Sequence, residues 1–257
     1  MKKIFILLLL IVSIACNKEE LYSDLEKLSG KDVIEIGTHN VSGNIGKIFS
    51  KYVYTKAPNG RRIEIFGTSG VTDEQMLYAR DILEQYLTSD GTVYKRKHKE
   101  IIANSMANKR SAMVFWDTEE QYSDNIMKVE YLGYSVQDLY ATESLGMFRD
   151  ASYEEILHLV HNHGITSTLF NFQSELQKAN DDALSRGIWK PWEDLPKADY
   201  DDKYLAALMD CYLGLWDGLG PTFWGAYEPS SREEMKTLDP IGHQLILDLF
   251  GDIQQVR

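Results

Sequence analysis

The stretch Tyr204-Leu-Ala-Ala-Leu-Met-Asp-Cys-Tyr-Leu-Gly-Leu-Trp216 limits what this chain can fold into more than any other. Wound as a helix it is apolar nearly all round, so it has no face to offer water and other elements must enclose it. The periodicity predicts a helix from Asp199 to Trp216, broken by Gly218-Leu-Gly-Pro221. Asp210 sits in its middle. A carboxylate there is strongly disfavoured unless a cation or a hydrogen-bond donor meets it. The enclosing elements must therefore bring a partner, and a metal or a histidine from another helix is the expectation.

The enclosing elements are legible in order. Val33–Ile36, Lys51–Thr55 and Ile63–Phe66 read as short strands, with Ala57-Pro-Asn-Gly60 as hairpin-turn chemistry between the last two. Thr72-Asp-Glu-Gln75 is a capping box opening a helix whose core face is Met76, Ala79, Ile82, Leu83 and Tyr86. A helix over about 95–108, a buried strand Ser111–Trp116 and a helix after Thr118-Glu-Glu-Gln121 follow. Residues 129–150 read as irregular, 168–186 as an amphipathic helix, and Pro240 opens the last helix. Strands early and helices late give an α+β, helix-rich class. No internal repeat and no clean boundary divides residues 31–257, which read as a single domain, β-richer to about residue 130 and helical after it.

Ahead of that domain, Lys2-Lys3, an apolar run from Ile4 to Ile14 and the junction Ala15-Cys16 have the form of a secretory signal peptide over residues 1–15, too short to span a bilayer. The small residue before Cys16 resembles the lipobox of bacterial lipoproteins, with Ser13 where leucine is usual. Asn17-Lys-Glu-Glu20 resembles the surface-export signals of Bacteroidetes lipoproteins. These resemblances imply lipidation at Cys16, a tether over 16–30, and a cell-envelope location at the outer membrane or cell surface, with the membrane as a partner through the lipid. Cleavage elsewhere as a plain signal peptide is the competing expectation. Cys211 is then left without a disulfide partner. A formal charge of −12, spread along the chain with no basic stripe, disfavours nucleic acid as a partner.

Three of the six histidines fall in Ser152-Tyr-Glu-Glu-Ile-Leu-His-Leu-Val-His-Asn-His-Gly164. At about 100° per residue, Glu154, His158 and His161 share one face, and Glu155 points to the side. Glu154-Glu155-Ile-Leu-His158 has the spacing of the zinc-protease helix motif His-Glu-x-x-His, with glutamate in place of the first histidine. Carried over by position, Glu154 and His158 would be zinc ligands and Glu155 the general base. His161 adds a possible ligand. From Val71 to about Leu219 the chain also resembles an uncharacterised family of secreted proteins bearing this Glu-Glu-x-x-His helix, on Val71–Arg80, Ala112–Trp116, Ser152–His158 and Tyr204–Trp216. The resemblance implies a zincin-like, metallopeptidase-like fold with a further ligand from a downstream helix, for which Asp210 is the candidate. Tyr204 and Tyr212 are weaker candidates for binding a substrate oxyanion.

Helix chemistry supplies a plainer account. Ser152-x-x-Glu155 matches a capping box, Glu154 suits the helix dipole, and Glu154–His158 is an ordinary i,i+4 pair. Two functions are therefore expected in competition. One is a zinc-dependent hydrolase of peptide or amide bonds; the other is a non-catalytic lipoprotein binding a peptide or glycan on the same scaffold. His39 reads as a turn residue, His98 as part of a solvated helix face, and His243 as packed near Pro240. Trp189, Trp192, Trp216 and Trp224 read as core. There is no glycine-rich phosphate loop before a helix and no Gly-x-Ser-x-Gly.

Overall fold

The computed structural model describes residues 32–35, 45–131 and 133–256. The signal segment, Cys16, the tether and His39 lie outside the described residues. Strands β2 (Lys51–Lys56) and β3 (Arg62–Gly67) form the expected hairpin. Its turn is closed by the Ala57 N–H on Arg61 O at 2.9 Å and the Gly60 N–H on Ala57 O at 2.9 Å. Gly60 has φ +84°, a conformation that glycine adopts without a Cβ penalty. The short β1 (Ile34–Glu35) pairs antiparallel with β2. On the other side β4 (Ser111–Trp116) and β5 (Ser135–Tyr140) run parallel to β3, so the mixed sheet has the order β1-β2-β3-β4-β5.

β5 lies where the sequence reads as irregular. It is an edge strand with only Leu139 fully buried, so its side chains do not alternate cleanly between water and core. The inner strands do alternate. Val53, Ile63, Ile65, Met113 and Phe115 point into one core, and Tyr52, Tyr54, Phe66, Val114 and Trp116 into the other. Helices α2 (Asp73–Thr88) and α3 (Arg96–Asn108), which connect β3 to β4, cover the first face. Helices α1 (Ile45–Ile48) and α4 (Glu119–Tyr131), the latter connecting β4 to β5, cover the second. Two steps in the same direction with helices on opposite faces must have opposite hands. One of the two crossovers is therefore an exception to the right-handed rule.

The capping box at α2 forms as read: the Thr72 hydroxyl accepts the Gln75 N–H at 3.1 Å and Gln75 Oε1 accepts the Thr72 N–H at 3.0 Å. Thr72→Ala is expected to lower stability by about 1 kcal/mol, read as a shift of the urea midpoint at unchanged slope. In α3 the expected solvated face is only partly so. His98 packs edge-on against Tyr94, and Lys99 is buried with its ammonium 3.0 Å from Tyr86 O.

The second half of the chain is helical: α5 (Ser152–His163), α6 (Phe170–Ser185), α7 (Tyr200–Leu213), α8 (Arg232–Leu238) and α9 (Pro240–Phe250). α7 is the enclosed helix, with every residue from Tyr204 to Leu213 buried among α5, α6, α8 and α9. It stops earlier than the apolar pattern because Gly214 turns left-handed at φ +69°, leaving Trp216 in the following turn. α8 is not evident in the hydrophobic pattern; its start is the Ser231 hydroxyl accepting the Glu234 N–H. α5 lies between α7 and the sheet, touching α2, α3, β4 and β5 as well. The result is one α+β domain, helix-rich, with α5 at its centre. Among the described residues no helix is long and apolar enough to cross a membrane.

Candidate metal centre

α5 begins differently from its sequence signature. Ala151, not Ser152, occupies the N-cap, with no side-chain cap bond. The Ser152 N–H is held by Asp150 Oδ1 at 2.9 Å, and the Ser152 hydroxyl pairs with that of Ser144 at 3.0 Å. Glu155 therefore does not serve as the second half of a capping box. It accepts a hydrogen bond from Gln137 Nε2, on β5, at 2.7 Å. The helix ends at Gly164, where a Cβ would stand 2.6 Å from Ile102 of α3, so glycine lets α3 approach closely.

The helical face expected from the spacing is present. Glu154, His158 and His161 are buried and all turn toward the first turn of α7. There Lys203 Nζ lies 3.0 Å from Glu154 Oε1 and 3.0 Å from His158 Nε2, and those two atoms are 3.4 Å apart. Arg149 pairs with the other Glu154 oxygen. Asp202 joins both histidines, with Oδ2 2.8 Å from His158 Nδ1 (out of line with the ring N–H) and Oδ1 2.6 Å from His161 Nδ1. His161 Nε2 is 2.8 Å from Gln173 Oε1, and Gln173 donates in turn to Asp201 at 2.6 Å.

Glu154, Glu155 and His158 can each present one ligand atom so that all lie within 4.8 Å of one another, a group that could hold a metal ion. Two carboxylates and one imidazole are a legitimate donor set for a divalent cation. His161 stands outside this group, tied into the Asp202–Gln173 chain, and Asp210 stands outside it too. Asp210 is met neither by a metal nor by a histidine but by an indole donor and a more distant guanidinium. Trp216 Nε1 donates to its Oδ2 at 2.8 Å, and Arg149 lies 3.9 Å away. Tyr204 and Tyr212 turn away from it, to Asp239 at 2.7 Å and to Gly251 O and Asp252 at 3.4 Å.

The charges follow from these contacts. Burial works to raise the Glu154 carboxyl, but its contact with His158 and the charges of Lys203 and Arg149 outweigh it, and the net direction is well below the usual carboxylate range. Asp202 is likewise lowered: its two histidines outweigh burial. Burial pushes Glu155 up to about 7, and burial together with the charge of Glu154 pushes Asp210 up to about 8, so Asp210 is largely a neutral acid at pH 7. For His158, burial opposes protonation while Asp202, Glu154 and Glu155 favour it and prevail. An ammonium 3.0 Å from Nε2 is nevertheless a donor and leaves no place for a second ring proton. The contact holds the ring as the Nδ1–H tautomer with Nε2 as acceptor.

Arg149 also links the site to an aromatic cluster. Its guanidinium lies 4.4 Å from the Trp224 ring centre and 5.5 Å from that of Trp216. Trp189, Trp192, Trp216 and Phe223 pack together as expected of core, whereas Trp224 is 56% exposed, with Phe148 and Met147 also exposed nearby in sequence to Arg149. Phe223 and Trp224 both have φ near +50°, which bulky residues seldom adopt.

The residues absent from the sequence reading are Arg149, Asp202, Lys203, Gln137 and Gln173. The available signal was slight: Lys203 is the lysine of α7 that precedes the all-apolar run, and Asp201 and Asp202 look like ordinary first-turn acids. Comparison with family models, with curated proteins and with solved structures gives no match to this chain. The likeness to zinc peptidases accordingly rests on α5 and its surroundings alone.

Proposed function

We propose that this is a lipid-anchored protein of the bacterial cell envelope, attached through Cys16, whose domain holds zinc through Glu154 and His158 and hydrolyses peptide or amide bonds with Glu155 as the base. The observation that carries this reading is the convergence of Glu154, Glu155 and His158 within 4.8 Å on a buried helix. Asp202, 2.8 Å from Nδ1 of His158, supports it, because a carboxylate there favours the proton on Nδ1 and leaves Nε2 for a metal. His161 then acts as a support for Asp202. Bound there, zinc would supply Lewis acidity and an activated water. Glu155 is half-buried, oriented by Gln137 and pushed up to about 7, so it can take up and return a proton at neutral pH.

A second reading, a non-catalytic binding lipoprotein, is favoured by a different observation. Lys203 and Arg149 already balance Glu154, and the exposed Trp224 and Phe148 could receive a peptide or a sugar. Metal analysis of the purified protein separates the two. Stoichiometric zinc, lost in His158→Ala, is the expected result; a metal-free protein that takes up none from solution overturns the hydrolase. With zinc bound, Glu155→Gln is expected to keep the metal and lower hydrolysis of a peptide library at least 100-fold. Unchanged hydrolysis would remove Glu155 from the chemistry.

A further inference from the structure

We infer that Lys203 is a resident counter-ion of this site, and that its ammonium and a divalent metal occupy it alternately. The inference rests on the metal reading above. Lys203 Nζ forms a nearly isosceles triangle with Glu154 Oε1 and His158 Nε2: two sides of 3.0 Å and a base of 3.4 Å. It stands where the imidazole acceptor and the carboxylate jointly point. A cation bonded at about 2.0–2.2 Å to both atoms on that side would lie little more than about 1 Å from Nζ. The two cannot coexist there.

The surroundings fit an exchange of one cation for another. Arg149 keeps its own bond to the second Glu154 oxygen, so the carboxylate retains a partner during the exchange. The Lys203 side chain is 27% exposed, far more than Glu154 at 4% or His158 at 3%, so it has a way out that its partners lack. Its neighbours Glu155 and Asp202 supply negative charge to a displaced ammonium. Lys203 would thereby set the metal affinity of the site, holding it below what the ligand set alone would give and keeping the buried carboxylate neutralised when no metal is present.

Zinc titration of the full chain by calorimetry tests this with wild type, Lys203→Met and Lys203→Arg. The methionine variant keeps the stem and removes the competing charge, and its zinc affinity is expected to rise at least tenfold; the arginine variant is expected to stay within about threefold of wild type. Wild-type protein offers a second readout that does not depend on a variant folding. Zinc is expected to speed acetylation of Lys203 by acetic anhydride severalfold, followed by peptide mass spectrometry. If wild type binds zinc while Lys203→Met binds no more tightly and Lys203 labelling is unchanged, the exchange is overturned and the metal reading stands. If neither wild type nor Lys203→Met binds zinc, the metal reading falls and the exchange with it.

Discussion

Glu154→Gln is expected to lower the unfolding free energy by about 3–5 kcal/mol in the presence of a chelator. Glutamine keeps the shape of the side chain and removes its charge. What remains is Lys203 and Arg149 gathered around a buried neutral group, with Lys203 also against His158. Removing one partner of a buried ion pair is costly because the other charge is left uncompensated; here that charge is chiefly Arg149, with its side chain 17% exposed, since Lys203 at 27% can turn toward water. The pH dependence has a definite sign. The folded-state pKa of Glu154 lies below its ordinary 4.5, so its contribution is fully present above that pH and is lost as pH falls below it. Urea unfolding of wild type and variant should therefore differ most near pH 5, differ less toward pH 8 as Asp210 ionises more readily without the charge of Glu154, and converge in stronger acid. Pairing the change with Lys203→Met should recover part of the loss, since the double variant removes both halves of one pair. A difference under about 1 kcal/mol would show that the carboxylate behaves like a surface group and that the network is not a buried one.

The same network shows what could be read from the chain and what could not. Helical and strand periodicities place α2, α3, α5, α6 and β4 because they report which side of an element meets the core, and that is a local property. The face shared by Glu154, His158 and His161 was legible for this reason. Its partners were not, because Lys203 lies 49 residues from Glu154 and Asp202 lies 41 from His161. No periodicity connects them. Asp210 stood out as an anomaly within an apolar helix, but its relief by Trp216 depends on where Gly214 ends that helix. The capping-box pattern at Ser152 misleads for a related reason: Asp150 and Ser144 take the serine's groups, and the helix begins one residue earlier than the pattern requires.

Lys99→Met is expected to stabilise the protein at pH 7 and destabilise it above pH 10. Lys99 is 1% exposed, with its Nζ over the Phe250 ring at 4.0 Å and donating to Tyr86 O at 3.0 Å. Burial pushes its pKa from 10.5 down to about 7, only partly offset by Asp90. Between those two values the unfolded chain binds the proton and the folded chain does not, so stability rises with pH across the whole window. The rise between pH 7 and pH 10 amounts to roughly 3–4 kcal/mol. Methionine removes that dependence. It also leaves Tyr86 O, in the last turn of α2, without its donor, a loss of about 1–3 kcal/mol at every pH. The first effect dominates at neutral pH and vanishes in strong base, which is why the sign reverses. Urea midpoints of the two proteins between pH 7 and pH 10.5 should cross. Parallel curves would mean that Lys99 keeps its proton on folding, and that the core around Phe250 admits water to reach it.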